Sequence, residues 1–216
     1  DIFGLVEFNN VSFKYNKVPI LKNVSFVVKP NELTAIVGKT GSGKTTIFNL
    51  LLRMYRVGKG QILIDKLDIY DYSKDVFNSN ISIVNQKTFI FNMSIRANLS
   101  LIDSNKKRQI DACKRVGIHD FIMSLPDGYS TILKDDATNM SGGQKQLLSL
   151  ARALLTSSEI ILLDEVTSSL DPRTTDKIIK LLDDLKTDHT IIIITHNKDL
   201  MRKADKLIVL NNGKVE

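Results

Sequence analysis

Apolar positions along the chain follow two periods. From Gly4 to Tyr15 they alternate, with Val11, Phe13 and Tyr15 on one face, which predicts a half-buried strand. A second strand is predicted over Val24–Val28, after a turn at Pro19, and a short buried one over Leu33–Val37. Thr45–Met54 then takes the helical period, with Ile47, Leu50, Leu51 and Met54 on one side, and strands return at Gln61–Ile64 and Ile81–Val84. Between Phe89 and Leu155 the pattern is mostly helical, with helices predicted over Ser94–Leu99, Asn105–Val116, His119–Ser124 and Gly142–Leu155. Afterwards strands at 160–163, 190–195 and 206–210 alternate with helices at 173–186 and 198–203. Ile160–Leu163 and Ile191–Ile194 are apolar without interruption, the mark of strands buried on both faces. An α/β fold is implied, with a mostly parallel sheet covered by helices and a helical stretch inserted into it.

Composition changes this picture little. The chain has 216 residues, 43% apolar and 25% charged, enough for one well-cored domain. Its longest apolar runs are far too short to span a bilayer, and no signal-peptide pattern opens it. The net charge of +6 is interspersed rather than blocked, and the densest cluster, Lys106-Lys107-Arg108, reads as the solvated face of a helix. Nucleic acid is therefore not expected as a partner. The single Cys113 excludes an internal disulfide and fits a reducing compartment. The chain begins at Asp1 without a methionine and ends just after an Asn-Asn-Gly-Lys turn, so a domain excised from a longer chain is expected.

The chemistry lies at the C-terminal ends of strands. Gly38-Lys39-Thr40-Gly41-Ser42-Gly43-Lys44-Thr45, continued by Thr46, joins a predicted strand to a predicted helix and fits G-x-x-x-x-G-K-[ST]. Glycines let successive N–H groups turn inward on phosphate oxygens, and the helix start adds its positive end. Lys44 is placed to reach the terminal phosphates, and the Thr45 hydroxyl to hold Mg²⁺. Asp164 and Glu165 end an apolar strand whose C-terminus opens on the ligand crevice of a parallel sheet. There Asp164 suits a metal ligand and Glu165 a general base toward water. His196 comes after another such strand at the same edge, in reach of the γ-phosphate, whereas His119 and His189 read as structural. ATP and Mg²⁺ are the expected ligands.

Met140-Ser141-Gly142-Gly143-Gln144-Lys145-Gln146, shortly before the carboxylate strand, resembles the signature of ABC ATPases, and the resemblance covers essentially the whole chain. It implies a P-loop NTPase core (1–87 and 156–216) with an N-terminal antiparallel β subdomain and an inserted α-helical signature subdomain (about 88–155). It also implies an adenine-stacking aromatic at Tyr15, with a core aromatic as the lesser alternative, and a glutamine at Gln86 that touches magnesium and the attacking water. Two such domains are expected to pair head to tail, here as a homodimer. Ser141, Gly142, Gly143 and Gln144 would then act on the partner's nucleotide, and Asp171, in Ser168-Ser169-Leu170-Asp171, would cross the interface while capping the next helix. Met140 stands where leucine is usual and Ser169 where alanine is frequent. Lys134-Asp135-Asp136-Ala137 occupies the place of a G-E-R-G stretch that contacts the membrane part of exporters.

Within that family Phe91–Leu99 resembles the segment after the glutamine loop in exporters, and Gly4–Phe8 their entry strand after a fused transmembrane region. The implied role is the ATPase of an exporter-type ABC transporter at the cytoplasmic face of the cell membrane. The alternatives are a translation-factor ABC protein and a DNA-repair or chromosome ATPase, whose long coiled coil between P-loop and signature has no counterpart here.

Overall fold

The computed structural model describes residues 2–87, 89–134, 137–168 and 170–216. Asp135 and Asp136 of the divergent exporter stretch, and Ser169, lie outside the described residues. Strands β1 (Val6–Tyr15), β2 (Val18–Val28), β4 (Lys59–Ile64) and β5 (Leu67–Asp68) form an antiparallel sheet in the order β2-β1-β4-β5. The second strand is longer than its hydrophobic run predicts. The turn falls before Pro19, with Asn16 at φ 53, and Pro19 itself pairs with Lys14 inside β2. As β2 borders this sheet, a residue without an N–H is tolerated there.

The second sheet places β3 (Leu33–Val37), β6 (Ile81–Val84), β7 (Ile160–Asp164), β8 (Thr190–Ile194) and β9 (Lys206–Asn211) side by side, all parallel. Its order is β9-β3-β8-β7-β6, and β10 (Lys214–Val215) adds antiparallel at the β9 edge. Because the pleat alternates, each apolar run feeds two cores. Ile161, Leu163, Ile191 and Ile193 face the helices α3 (Ile95–Ser100), α4 (Lys106–Arg115), α5 (His119–Ser124), α6 (Gly142–Leu155) and α7 (Pro172–Leu185). Ile160, Leu162, Ile192 and Ile194 face α1 (Lys44–Leu51) and the antiparallel sheet. The α/β class, with an antiparallel N-terminal sheet and helices inserted between β6 and β7, agrees with the sequence reading.

Helix α1 is shorter than predicted. It stops at Leu51, Arg53 turns left-handed (φ 57), and Met54, assigned above to the buried side, is 65% exposed. Helix α2 (Lys74–Asn80) has only Phe77 buried and leaves no periodic trace in the sequence. Polar caps set most other helix starts, as Ser94, Asn105, Ser141, Asp171 and Asn197 each accept from a backbone N–H one turn on. Helix α8 (Lys198–Lys203) starts at the last of these. His119 and His189 are structural, Nδ1 lying 2.9 Å from the Tyr129 hydroxyl and 2.8 Å from the Ser158 carbonyl, respectively. Cys113 is buried, and burial pushes its thiol up to about 11. Among the described residues no helix is long and apolar enough to cross a membrane.

Candidate functional site

Parallel strands deliver their C-terminal ends to one edge, so β3, β6, β7 and β8 bring four distant segments together there. The loop after β3 leads into α1 through Gly43, whose φ of 106 a side chain would strain. Gly38 lies so close to β9 that a Cβ would sit 2.1 Å from the Leu210 carbonyl oxygen. Thr40, Gly41, Gly43, Lys44, Thr45 and Thr46, with Ile20 and Glu165, line a cleft of about 240 Å³. Lys44 Nζ donates to the carbonyls of Gly38 (2.7 Å) and Lys39 (3.0 Å), bracing the loop from within. The buried Ser42 Oγ has no partner among the described residues, a free polar group of the kind an anion in the loop would satisfy.

Charge is concentrated across the cleft. Burial lowers the Lys44 pKa, and Glu165 and Asp164 partly offset this. Burial, and then the neighbouring Glu165, raise the Asp164 pKa against the pull of Lys44. Glu165 occupies a left-handed turn (φ 49), its N–H held by the Ile194 carbonyl at 2.9 Å. That turn aims its carboxylate along the sheet edge, where Oε1 lies 3.2 Å from His196 Nε2. A non-glycine residue in this conformation is costly and is often found at functional sites. The loop threonines and Asp164 fit a divalent cation that also takes phosphate oxygens. Among the described residues no group of three or more His, Cys, Asp and Glu is arranged to hold a metal alone.

The other expected residues are placed differently. Tyr15 is half-buried, packed edge-on against Phe13 (4.8 Å) and Tyr55 (5.0 Å), and its hydroxyl accepts from Asn49 Nδ2 of α1 at 3.2 Å. Gln86 comes after β6 at the same edge but lines no part of the cleft. Its Nε2 donates to Ser168 Oγ at 3.0 Å, in the loop after β7.

Ser141, Gly142, Gly143 and Gln144 form a second group at the start of α6. Ser141 Oγ accepts from the Gln144 N–H (3.2 Å), and Gln144 Oε1 accepts from the Ser141 N–H (2.8 Å), a reciprocal cap. Asp171 joins this group through Thr174. Its carboxylate accepts from the Thr174 N–H (3.0 Å) and hydroxyl (2.6 Å), bonds that hold its pKa low. A Cβ on Gly143 would lie 2.6 Å from Thr174 Cγ2, so only glycine fits against α7 there. Thr174 and Ile20 escape the motif reading, and Gln146 stands in the signature segment with no role read for it. Its signal, beyond that segment, is a polar residue on the buried face that α6 shares with Gly143, Leu150 and Ala153.

The family described as ABC transporter matches residues 21–168, more than half of the chain. An ATP-dependent lipid A-core flippase of Syntrophus aciditrophicus is 40% identical over 212 residues, covering 97% of this chain and 35% of that protein. The ABC transporter aclQ of Aspergillus oryzae is 40% identical over 98% of the chain, which is 27% of its own length. A solved structure of a bacterial Atm1-family ABC exporter with ATP bound superposes with a TM-score of 0.92 at 35% identity, covering 99% of this chain and 38% of that one. The chain thus spans about a third of the length of such relatives.

Proposed function

Since the chain belongs to the ABC transporter family and carries the ATP-binding fold of its exporters, we propose that it binds and hydrolyses ATP to drive export across a membrane. The observation that carries this reading is the Glu165–His196 pair at 3.2 Å, set on the lip of the cleft that Lys44 and the loop threonines line.

In this reading the N–H groups of residues 38–46 bind the phosphates, and Lys44 exchanges its loop carbonyls for the terminal ones. Thr45, Asp164 and Gln86 would hold Mg²⁺, which would neutralise phosphate charge in the transition state. Glu165 accepts the proton of the attacking water as the water oxygen bonds the γ-phosphorus and the bond to the β-phosphate oxygen breaks, releasing ADP and phosphate. His196 keeps that carboxylate oriented. Tyr15 offers its outer face to adenine. Ser141, Gly142, Gly143 and Gln144, with Asp171, close over the nucleotide of a second copy, so that ATP becomes part of the interface and hydrolysis weakens it.

Phe89 (67% exposed) packs edge-on against Phe91 at 4.7 Å and lines a groove with Ile102 past β6, an apolar patch at which Arg152 donates to the Phe89 carbonyl at 3.0 Å. A transmembrane domain, on the same chain in the whole protein, would rest there. In this reading the ATPase works at the cytoplasmic face of the cell membrane. The exporter relatives favour this over a translation-factor or DNA-repair ATPase.

The test is Glu165→Gln. It is expected to bind ATP yet hydrolyse it at least ~100-fold more slowly. Light scattering should find it monomeric alone and dimeric with Mg-ATP. Undiminished hydrolysis would place the base elsewhere.

A further inference from the structure

Gln146 lies in the second turn of α6 and is buried (7% exposed). Its Nε2 donates to the main-chain carbonyl of Gln86 at 2.9 Å. The carbonyl can only accept, so the amide orientation is fixed by the contact itself. Its Oε1 is buried and finds no partner among the described residues. Burying a primary amide for one hydrogen bond is unfavourable beside an apolar side chain of similar size. The packing of α6 against β6 alone therefore does not account for it.

The contact links two groups that are otherwise separate. At one end of α6 stands the Ser141–Gln144 cap, and one turn later Gln146 holds the main chain of Gln86. The Gln86 side chain in turn reaches Ser168, in the loop that leads from Glu165 to Asp171. A displacement of the α6 N-terminus thus has a direct hydrogen-bonded link to the Gln86 main chain, beside the apolar packing of α6 on β6. We propose that Gln146 is a positioning residue that sets Gln86 according to what the start of α6 has bound, so that the partner's nucleotide governs this copy's own metal and water site. The inference rests on the role given to Gln86 above. The unpaired Oε1 gives the amide a second bonding option when the glutamine loop shifts, which an apolar residue lacks.

The experiment compares steady-state ATP hydrolysis of the intact protein as Gln146→Met, Gln146→Glu, Gln86→Ala and the Gln86→Ala/Gln146→Met double variant, with ATP and Mg²⁺ varied separately. Methionine keeps the volume and removes the donor. It is expected to lower kcat about 10- to 100-fold, to raise the Mg²⁺ concentration for half-maximal rate, and to leave the KM for ATP nearly unchanged. The double variant should be no slower than Gln86→Ala alone. Glutamate cannot donate while ionised. Its rate relative to wild type at the same pH should recover as the pH falls and its hydroxyl forms, a rescue that packing would not produce.

Wild-type kcat in Gln146→Met beside an impaired Gln86→Ala overturns the inference alone. So does an equal further loss in the double variant, or a Gln146→Glu deficit that ignores pH. Full activity in Gln86→Ala overturns the role of Gln86 and this inference with it. If Gln146→Met does not fold, the pH series on Gln146→Glu decides.

Discussion

Lys44 is the residue whose environment is most distinctive. It is buried against two carboxylates while its ammonium braces the loop that carries it. Lys44→Ala is expected to abolish ATP binding or lower hydrolysis at least ~100-fold, read by nucleotide titration and turnover. The raised Asp164 pKa has consequences for both stability and metal binding. A carboxyl whose pKa is higher in the folded than in the unfolded chain supports the fold when protonated, and this support is lost as the pH rises through the folded value. Asp164→Asn should therefore raise the melting midpoint of the nucleotide-free protein at neutral pH. The gain should vanish below the unfolded carboxylate range, while Mg²⁺ dependence is weakened at every pH. Gly143 makes a steric prediction. Alanine there collides with Thr174 Cγ2 and should weaken ATP-driven association by roughly 1–3 kcal/mol, as overpacking does. Adding Thr174→Ser removes the methyl, keeps the Asp171 bond and should restore association. Gly143 was legible in the signature, but its steric reason was not, because Thr174 reaches it only in the folded chain.

Elements were legible where burial is continuous or caps are polar. The runs 160–163 and 191–194 could only be strands buried on both faces, and Ser141, Asn105 and Asp171 mark helix starts by their side-chain acceptors. The misses share a cause. Over α1 the apolar residues continue past the point where Arg53 adopts a left-handed backbone, and over β2 a proline reads as a turn until its border position is known. Helix α2 has seven residues and one buried side chain, too little for a period to register. Because α1 is pinned by Ile47, Phe48, Leu50 and Leu51, Leu50→Ala should cost about 2–5 kcal/mol in denaturant unfolding and loosen nucleotide binding with it.

At the scale of the whole molecule, the cleft with the α6 start and the apolar patch at Phe89 stand open among the described residues. Phe89→Glu is expected to lower transport by the intact protein more than its ATP hydrolysis, checked by measuring both in one membrane preparation. Local chemistry was determined by the sequence alone. A glycine loop before a helix, paired carboxylates after an apolar strand and a capped signature helix are each legible within a few residues, because backbone freedom, charge and capping are short-range properties. Only the tertiary structure decided which of these groups meet. The strand order brings Glu165 to His196, turns Gln86 toward Ser168 instead of the cleft, and seats Gln146 beneath it. These contacts span from 31 to 82 residues of sequence, and no local pattern encodes a partner that only sheet order supplies.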